Sequence, residues 1–67
     1  MHADALTTAR EAYGRRAWTQ AHELLSRRDE AQALGPEDLE RLAVASYMLG
    51  RDDEQLAALA RAHHAHG

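Results

Sequence analysis

Apolar residues recur every three to four positions along most of the chain, which is the spacing of amphipathic helices. Ala, Leu, Glu, Arg and Gln dominate the sequence and β-branched residues are few, so helix is favoured nearly throughout and no strand is predicted. Gly14, Gly35 and Gly50 each follow a helical run, where a left-handed C-terminal cap is expected. The pattern predicts four helices, at residues 3–13, 18–32, 36–49 and 53–66.

The starts of the third and fourth helices carry the clearest local signals. Pro36 suits the first helical position, and Glu37 and Asp38 place carboxylates at the positive end of the helix dipole. Asp52 followed three residues later by Gln55 predicts a capping box, in which each side chain accepts the other residue's free backbone N–H.

A comparison of the chain with itself indicates an internal repeat of 34 residues. Six of 33 pairs are identical at this offset: Asp4 and Asp38, Ala9 and Ala43, Tyr13 and Tyr47, Leu25 and Leu59, Arg27 and Arg61, Ala31 and Ala65. The offset equals the length of one predicted helix pair. The sequence therefore predicts one all-α domain over residues 1–67, with repeat 1 at about 1–34 and repeat 2 at about 35–67.

Two helix-turn-helix units of this length resemble tetratricopeptide repeats, which implies four antiparallel helices. Both units depart from the repeat signature. In the first, Arg16 stands where Gly is usual and Thr8 where Leu is usual, and in the second Ser46 replaces an aromatic residue.

Three segments carry a closer resemblance: GRRAWTQAHELLS, PEDLERLAVASYMLGRDDE and RAHHAHG, at residues 14–26, 36–54 and 61–67. They resemble the amino-terminal helical-repeat region of actinobacterial LuxR-type transcriptional regulators. In that family the region precedes further repeats, and a DNA-binding domain lies at the far carboxyl end. The resemblance implies a protein interaction or sensory module of a transcription regulator, present here as a fragment or as a free-standing version.

Composition limits the core and the available chemistry. Half of the 30 hydrophobic residues are Ala, and the 67-residue chain has no Cys, so neither a disulfide nor a Cys-based zinc site can reinforce a small core. Trp18 is expected to pack the second helix against the first and third. A net charge of −3 without a basic stretch argues against direct nucleic-acid contact. No long apolar run or signal-peptide pattern occurs, so a cytoplasmic protein without membrane contact is expected.

The third helix has a second apolar stripe, about 100° from the one that faces the predicted core. This stripe, with residues of the first helix, is the predicted partner-binding face: Leu6, Arg10, Tyr13, Arg41, Val44, Tyr47 and Met48. Two interpretations remain open. The stripe closes a compact four-helix bundle, or it is exposed and binds a protein partner: a second copy or the remaining repeats of a parent chain.

Neither catalysis nor a cofactor is indicated by the sequence. His63 and His66 share a helical face, but two imidazoles do not make a zinc site, so no metal site is predicted. Ser26 and Ser46 are the only serines and neither lies in a Gly-flanked nucleophile turn, so no enzyme is expected. The expected function is non-catalytic protein interaction, and the alternative is a structural capping or dimerising unit that has no separate ligand.

Overall fold

The computed structural model describes residues 5–66, with only the backbone at 65 and 66, and within that range it consists of helices and turns. The four helices are α1 Ala5–Gly14, α2 Trp18–Ala31, α3 Pro36–Met48 and α4 Asp52–His66. The all-α prediction with four helices is confirmed. No described helix end differs from its predicted position by more than one residue. The predicted start of α1 at residue 3 lies outside the described residues.

The helices pack in chain order, α1 against α2, α2 against α3, and α3 against α4. Leu25 of α2 is fully buried at the centre of the larger hydrophobic cluster. Its other buried members are Ala9, Leu34, Leu39, Leu42, Ala43, Ala58 and Ala62. A smaller cluster joins Ala12, Ala21 and Ala45, one from each of the first three helices, and Trp18 packs against it as expected.

The turn from α1 to α2 and the turn from α3 to α4 have the same backbone geometry. After α1, the N–H of Arg16 donates to Tyr13 O at 2.9 Å and the N–H of Ala17 to Ala12 O at 2.9 Å. After α3, at positions 34 later, Gly50 N–H donates to the Tyr47 carbonyl at 3.0 Å and Arg51 N–H to the Ser46 carbonyl at 2.8 Å. This pair of bonds defines a Schellman cap. The 34-residue period is therefore a period of the backbone as well as of the sequence.

The predicted left-handed glycine caps are correct at one position of three. Gly50 has a φ of 74°, as predicted. Gly14 lies inside α1, and Arg16, with a φ of 59°, takes the left-handed position instead. Gly35 has a φ of −72° and stands before α3 as its N-cap, because the chain there is extended ahead of Pro36.

The start of α3 agrees with its sequence signals, whereas that of α4 corrects the capping-box prediction. Pro36 is the first residue of α3, with Glu37 and Asp38 in its first turn. In α4 the first helical bond runs from Gln55 N–H to the Arg51 carbonyl at 3.0 Å. Arg51 is therefore the cap residue, and Asp52 already belongs to the helix, where its carboxylate favours the dipole.

Ser46 is the one position where the core departs from apolar chemistry without compensation among the described residues. Its side chain is fully buried, and its Oγ has no hydrogen-bond partner among the groups that the structure describes. The equivalent residue of the first repeat is the buried Ala12. The small size of serine fits the close helix approach here, while its hydroxyl group loses its hydration.

Candidate functional site

The candidate site is the face formed by α1 and α3, and its polar centre is Asp38 in the first turn of α3. Arg10 of α1 binds this carboxylate through one edge of its guanidinium group, donating from Nε to Oδ1 at 3.0 Å and from Nη2 to Oδ2 at 2.9 Å. Arg41, one turn further along α3, donates a hydrogen bond from Nη1 to Asp38 Oδ1 at 2.9 Å. Three charge-assisted hydrogen bonds therefore converge on one carboxylate, and the two from Arg10 join α1 to α3.

The environment of Asp38 keeps it ionised although its side chain is only 6% exposed. The hydrogen bonds from Arg10 lower the pKa of the Asp38 carboxyl, and the charges of Arg10 and Arg41 act in the same direction against the effect of burial. The two arginines predicted to bind a partner thus both pair with a carboxylate of their own chain. This arrangement fixes their guanidinium groups and neutralises much of their charge.

The apolar part of the site lies on α3. Val44, Tyr47 and Met48 are exposed, from 39% for Val44 to 59% for Tyr47. The other described helices therefore leave the second stripe of α3 uncovered, although the chain is an all-α helical bundle. An exposed apolar group on one helix face is the feature expected of an interaction surface.

The α1 residues of the predicted site have a largely structural placement. Leu6 is half-buried and packs against the larger hydrophobic cluster. Tyr13 packs at the edge of the Trp18 ring, with centroids 5.5 Å apart and planes at 78°. Such edge-to-face pairs are favoured by the ring quadrupoles. Tyr13 thus anchors the α1–α2 corner and offers only part of its ring to the site.

A shallow depression of about 330 Å³ lies between α1 and α3. Tyr13 and Val44 provide its apolar wall, and Glu37, Glu40 and Arg41 provide its polar wall. Together with Asp38, Glu37 and Glu40 give this region three carboxylates against the two guanidinium groups of Arg10 and Arg41, so its net charge is −1. The site as a whole combines an exposed apolar strip with an acidic border.

Sequence reasoning missed a second set of contacts, which joins α2 to α4. Arg61 forms a bidentate ion pair with Asp29, donating from Nη1 to Oδ2 at 2.6 Å and from Nη2 to Oδ1 at 2.8 Å. The hydrogen bond from Arg61 lowers the pKa of Asp29 and outweighs the effect of burial. Further along the same helices, His22 Nε2 lies 3.2 Å from Glu54 Oε2. The repeated Arg27 and Arg61 were a signal for this contact, but only the three-dimensional pairing shows which acid Arg61 meets.

Between these two α2–α4 contacts lies a pocket of about 220 Å³. Leu42, Ser46 and Ala58, all buried, are among its lining residues, and so are both polar pairs just described. No candidate residue from the sequence falls here as a functional group. The pocket is a surface hollow between paired helices, bounded by groups that already bond to each other.

Of His63 and His66, the two histidines that share a helical face, the structure describes the side chain of one. His63 is exposed on α4, and the side chain of His66 lies outside the described part of the chain. Over the residues that are described, no group of three or more His, Cys, Asp or Glu side chains is placed to hold a metal ion. Within the same residues, no helix has the length and apolar character needed to cross a membrane.

A comparison of the chain with protein-family models, curated proteins and solved structures finds no match. The function of the chain is therefore inferred from the geometry of the α1–α3 face and from the residues that form it.

Proposed function

We propose that this chain is a non-catalytic helical-repeat module that binds a protein partner through the α1–α3 face. The observation that carries the proposal is the exposure of Val44, Tyr47 and Met48 on one helix, beside an ordered polar centre at Asp38. Large exposed apolar side chains in one group favour contact with another apolar surface.

The polar border of the face suggests the chemistry of the partner. Glu37 lies beside the apolar strip, in a region whose three carboxylates outnumber its two arginines, and Arg10 and Arg41 are engaged with Asp38. A partner helix with an apolar stripe and basic residues on its flank complements this surface in both respects. A second copy of the chain, or a further repeat of a parent protein, fits this face only through a helix on which basic residues lie beside an apolar stripe.

The biological setting that we propose is the repeat region of a transcriptional regulator. Support comes from the three segments that resemble the LuxR-type regulators and from the 34-residue period. In this setting the module works in the cytoplasm, and its contacts are with protein and not with nucleic acid or membrane.

The alternative function is a structural capping or dimerising unit without a separate ligand. Its support is the small core, in which Leu25 and Ser46 are the largest fully buried side chains. A core of this size gains stability from any surface that covers its ends.

Site-specific photo-crosslinking in the producing cells tests the proposed face. A photoreactive phenylalanine analogue replaces Met48, and the matched control carries it at Gln20, an exposed residue of α2. We expect a discrete covalent adduct from position 48 only, and its loss when Val44→Glu is added. Equal labelling from both positions, or no adduct from position 48, would refute the binding face.

A further inference from the structure

The two repeats meet along one stripe of α2. Leu25 is fully buried in the cluster that includes α3 and α4 residues, His22 bonds to Glu54, and Asp29 bonds to Arg61. Trp18, at the start of the same stripe, packs against the cluster that includes a residue of α3. Three side chains of this stripe thus contact the second repeat, and Trp18 packs against a cluster that the second repeat helps to form.

The same stripe one repeat later lies on α4 and has no cover among the described residues. Its members, 34 positions after those of α2, are Asp52, Leu56, Leu59 and His63. All four are exposed, with Leu56 at 63% and Leu59 at 41%. At 100° per residue they lie within an arc of about 60°, so they form a single narrow face.

The chemistry of this α4 stripe differs from that of its α2 equivalent. A further repeat of this kind would place groups equivalent to Glu54 and Arg61 against α4. On α2, the partners of those two groups are His22 and Asp29. The α4 stripe instead has Leu56 and His63 at those two positions. An arginine set against His63, or a glutamate set against Leu56, gains no bond. A third repeat stacked in the same way is therefore not the occupant that the stripe fits.

The α4 stripe is complementary to itself when reversed. Residues 52 and 63 are equally far from the midpoint of the stripe, and so are residues 56 and 59. Two antiparallel copies of α4 therefore place Asp52 opposite His63 at both ends and Leu56 opposite Leu59 between them. The carboxylates in the first turn of one helix meet imidazoles near the end of the other, which agrees with the two helix dipoles.

We propose that α4 is a dimerisation helix and that the occupant of its outer stripe is α4 of a second copy, antiparallel about a two-fold axis. Two-fold pairing uses the same patch on both copies, which is the commonest closed symmetry of protein oligomers. This surface is separate from the α1–α3 face, so the inference is independent of the proposed function. It leaves Val44 and Met48 accessible to a different partner.

Sedimentation equilibrium from micromolar to millimolar concentration tests the dimer. We expect the wild type to dimerise and Leu56→Glu and Leu59→Glu each to weaken dimerisation at least tenfold. Gln20→Glu is the control, because Gln20 is exposed but lies on α2, outside both the α4 stripe and the α1–α3 face. Circular dichroism of each variant establishes that it is folded, and Leu56, the more exposed leucine, provides the variant that disturbs the core least.

Two outcomes of this experiment would overturn the proposal. A wild type that stays monomeric up to millimolar concentration shows that the stripe has no copy of the chain as its occupant. A dimer that is broken by Met48→Glu and unaffected by Leu56→Glu shows that the copies pair through the α1–α3 face instead.

Disulfide trapping tests the antiparallel arrangement, and the absence of cysteine from the chain makes each new bond unambiguous. A mixture of Asp52→Cys and His63→Cys should form the mixed disulfide, because the proposed pairing places these positions side by side. Asp52→Cys alone should not crosslink, since its two copies are about 16 Å apart along the helix axis, beyond disulfide reach. Efficient crosslinking of Asp52→Cys to itself, or none in the mixture, would exclude the antiparallel pairing.

Discussion

Arg16 and Gly50 occupy the same place in two turns that are 34 residues apart, and both have the left-handed backbone conformation, with φ of 59° and 74°. The second repeat uses the residue that this conformation favours, whereas the first repeat uses an arginine. A side chain at positive φ brings its Cβ close to the following carbonyl oxygen and costs roughly 1 kcal/mol. The first turn is therefore held in its conformation by the packing of α1 and α2 around it.

Replacing the strained residue should stabilise the protein. We expect Arg16→Gly to raise the free energy of unfolding by about 0.5–1 kcal/mol, because glycine adopts this conformation without steric cost. Gly50→Ala should lower it by about 1 kcal/mol, although no atom lies within 4 Å of the added Cβ, because its φ is positive. Urea titration measures both, with Gly14→Ala, inside α1, as the control that should not destabilise. A neutral Gly50→Ala would contradict the left-handed assignment.

The link between α1 and α3 should contribute measurably to stability. We expect Arg10→Met to cost about 1–3 kcal/mol, because the buried Asp38 loses two hydrogen bonds and keeps the one from Arg41. Arg27→Met is the control, since Arg27 pairs with Glu23 on the exposed surface of α2, and its loss should cost no more than about 0.5 kcal/mol. Thermal unfolding of the two variants compares them directly. Equal losses would mean that Asp38 is not the polar centre of the face.

The two paired aspartates make stability depend on acid pH. Hydrogen bonds from arginine lower the pKa of Asp38 and of Asp29 in the folded protein. The folded state therefore holds these protons less tightly than the unfolded state, so their contribution is present above the unfolded carboxyl pKa and is lost as pH falls through the folded pKa. Urea titrations at several acid pH values should show a shallower loss for Asp38→Asn combined with Asp29→Asn. An unchanged slope in the double variant would refute the assignment.

Helix content and the 34-residue period could be predicted from sequence because they depend on local composition and spacing. The turns were predicted less well. Gly14 carries the sequence signal for a left-handed cap, yet tertiary packing extends α1 through it and moves the cap to Arg16. Pairings such as Arg10 with Asp38 and Asp29 with Arg61 join residues far apart in the chain, so their partners depend on how the helices are stacked and not on local pattern.

Ser46 gives a prediction in which a deletion improves the protein. Its buried hydroxyl has lost its hydration and has no hydrogen bond to any described group. Ser46→Ala removes only the hydroxyl oxygen and leaves a small cavity, so we expect stabilisation of about 0.5–1.5 kcal/mol. Differential scanning calorimetry should show a higher melting temperature. A destabilised variant would contradict the absence of a hydrogen bond from the Ser46 hydroxyl to the described groups.

Trp18 is expected to be the most sensitive large residue at the junction of the first three helices. It packs against the cluster of Ala12, Ala21 and Ala45 and makes an edge-to-face contact with the Tyr13 ring. Trp18→Ala should cost about 3 kcal/mol, a large part of the total stability expected of a chain of this size. Far-ultraviolet circular dichroism should show a strong loss of helix at 37 °C, with Trp18→Phe retaining most of it. Full helix content with an unchanged melting temperature would show that this corner does not support the fold.

The serial packing of α1 on α2, α2 on α3 and α3 on α4 has a consequence for how the native state fluctuates. The contacts within each repeat, α1 with α2 and α3 with α4, are more extensive than the contact of α2 with α3, which joins the repeats. Partial opening of the native state therefore separates the two helix pairs along the α2–α3 contact before it disrupts either pair, and it breaks the bonds from Arg10 to Asp38 and from Arg61 to Asp29. The most persistent structure of the fold thus lies within each repeat, and a partner that bridges the two helix pairs would protect the junction between them.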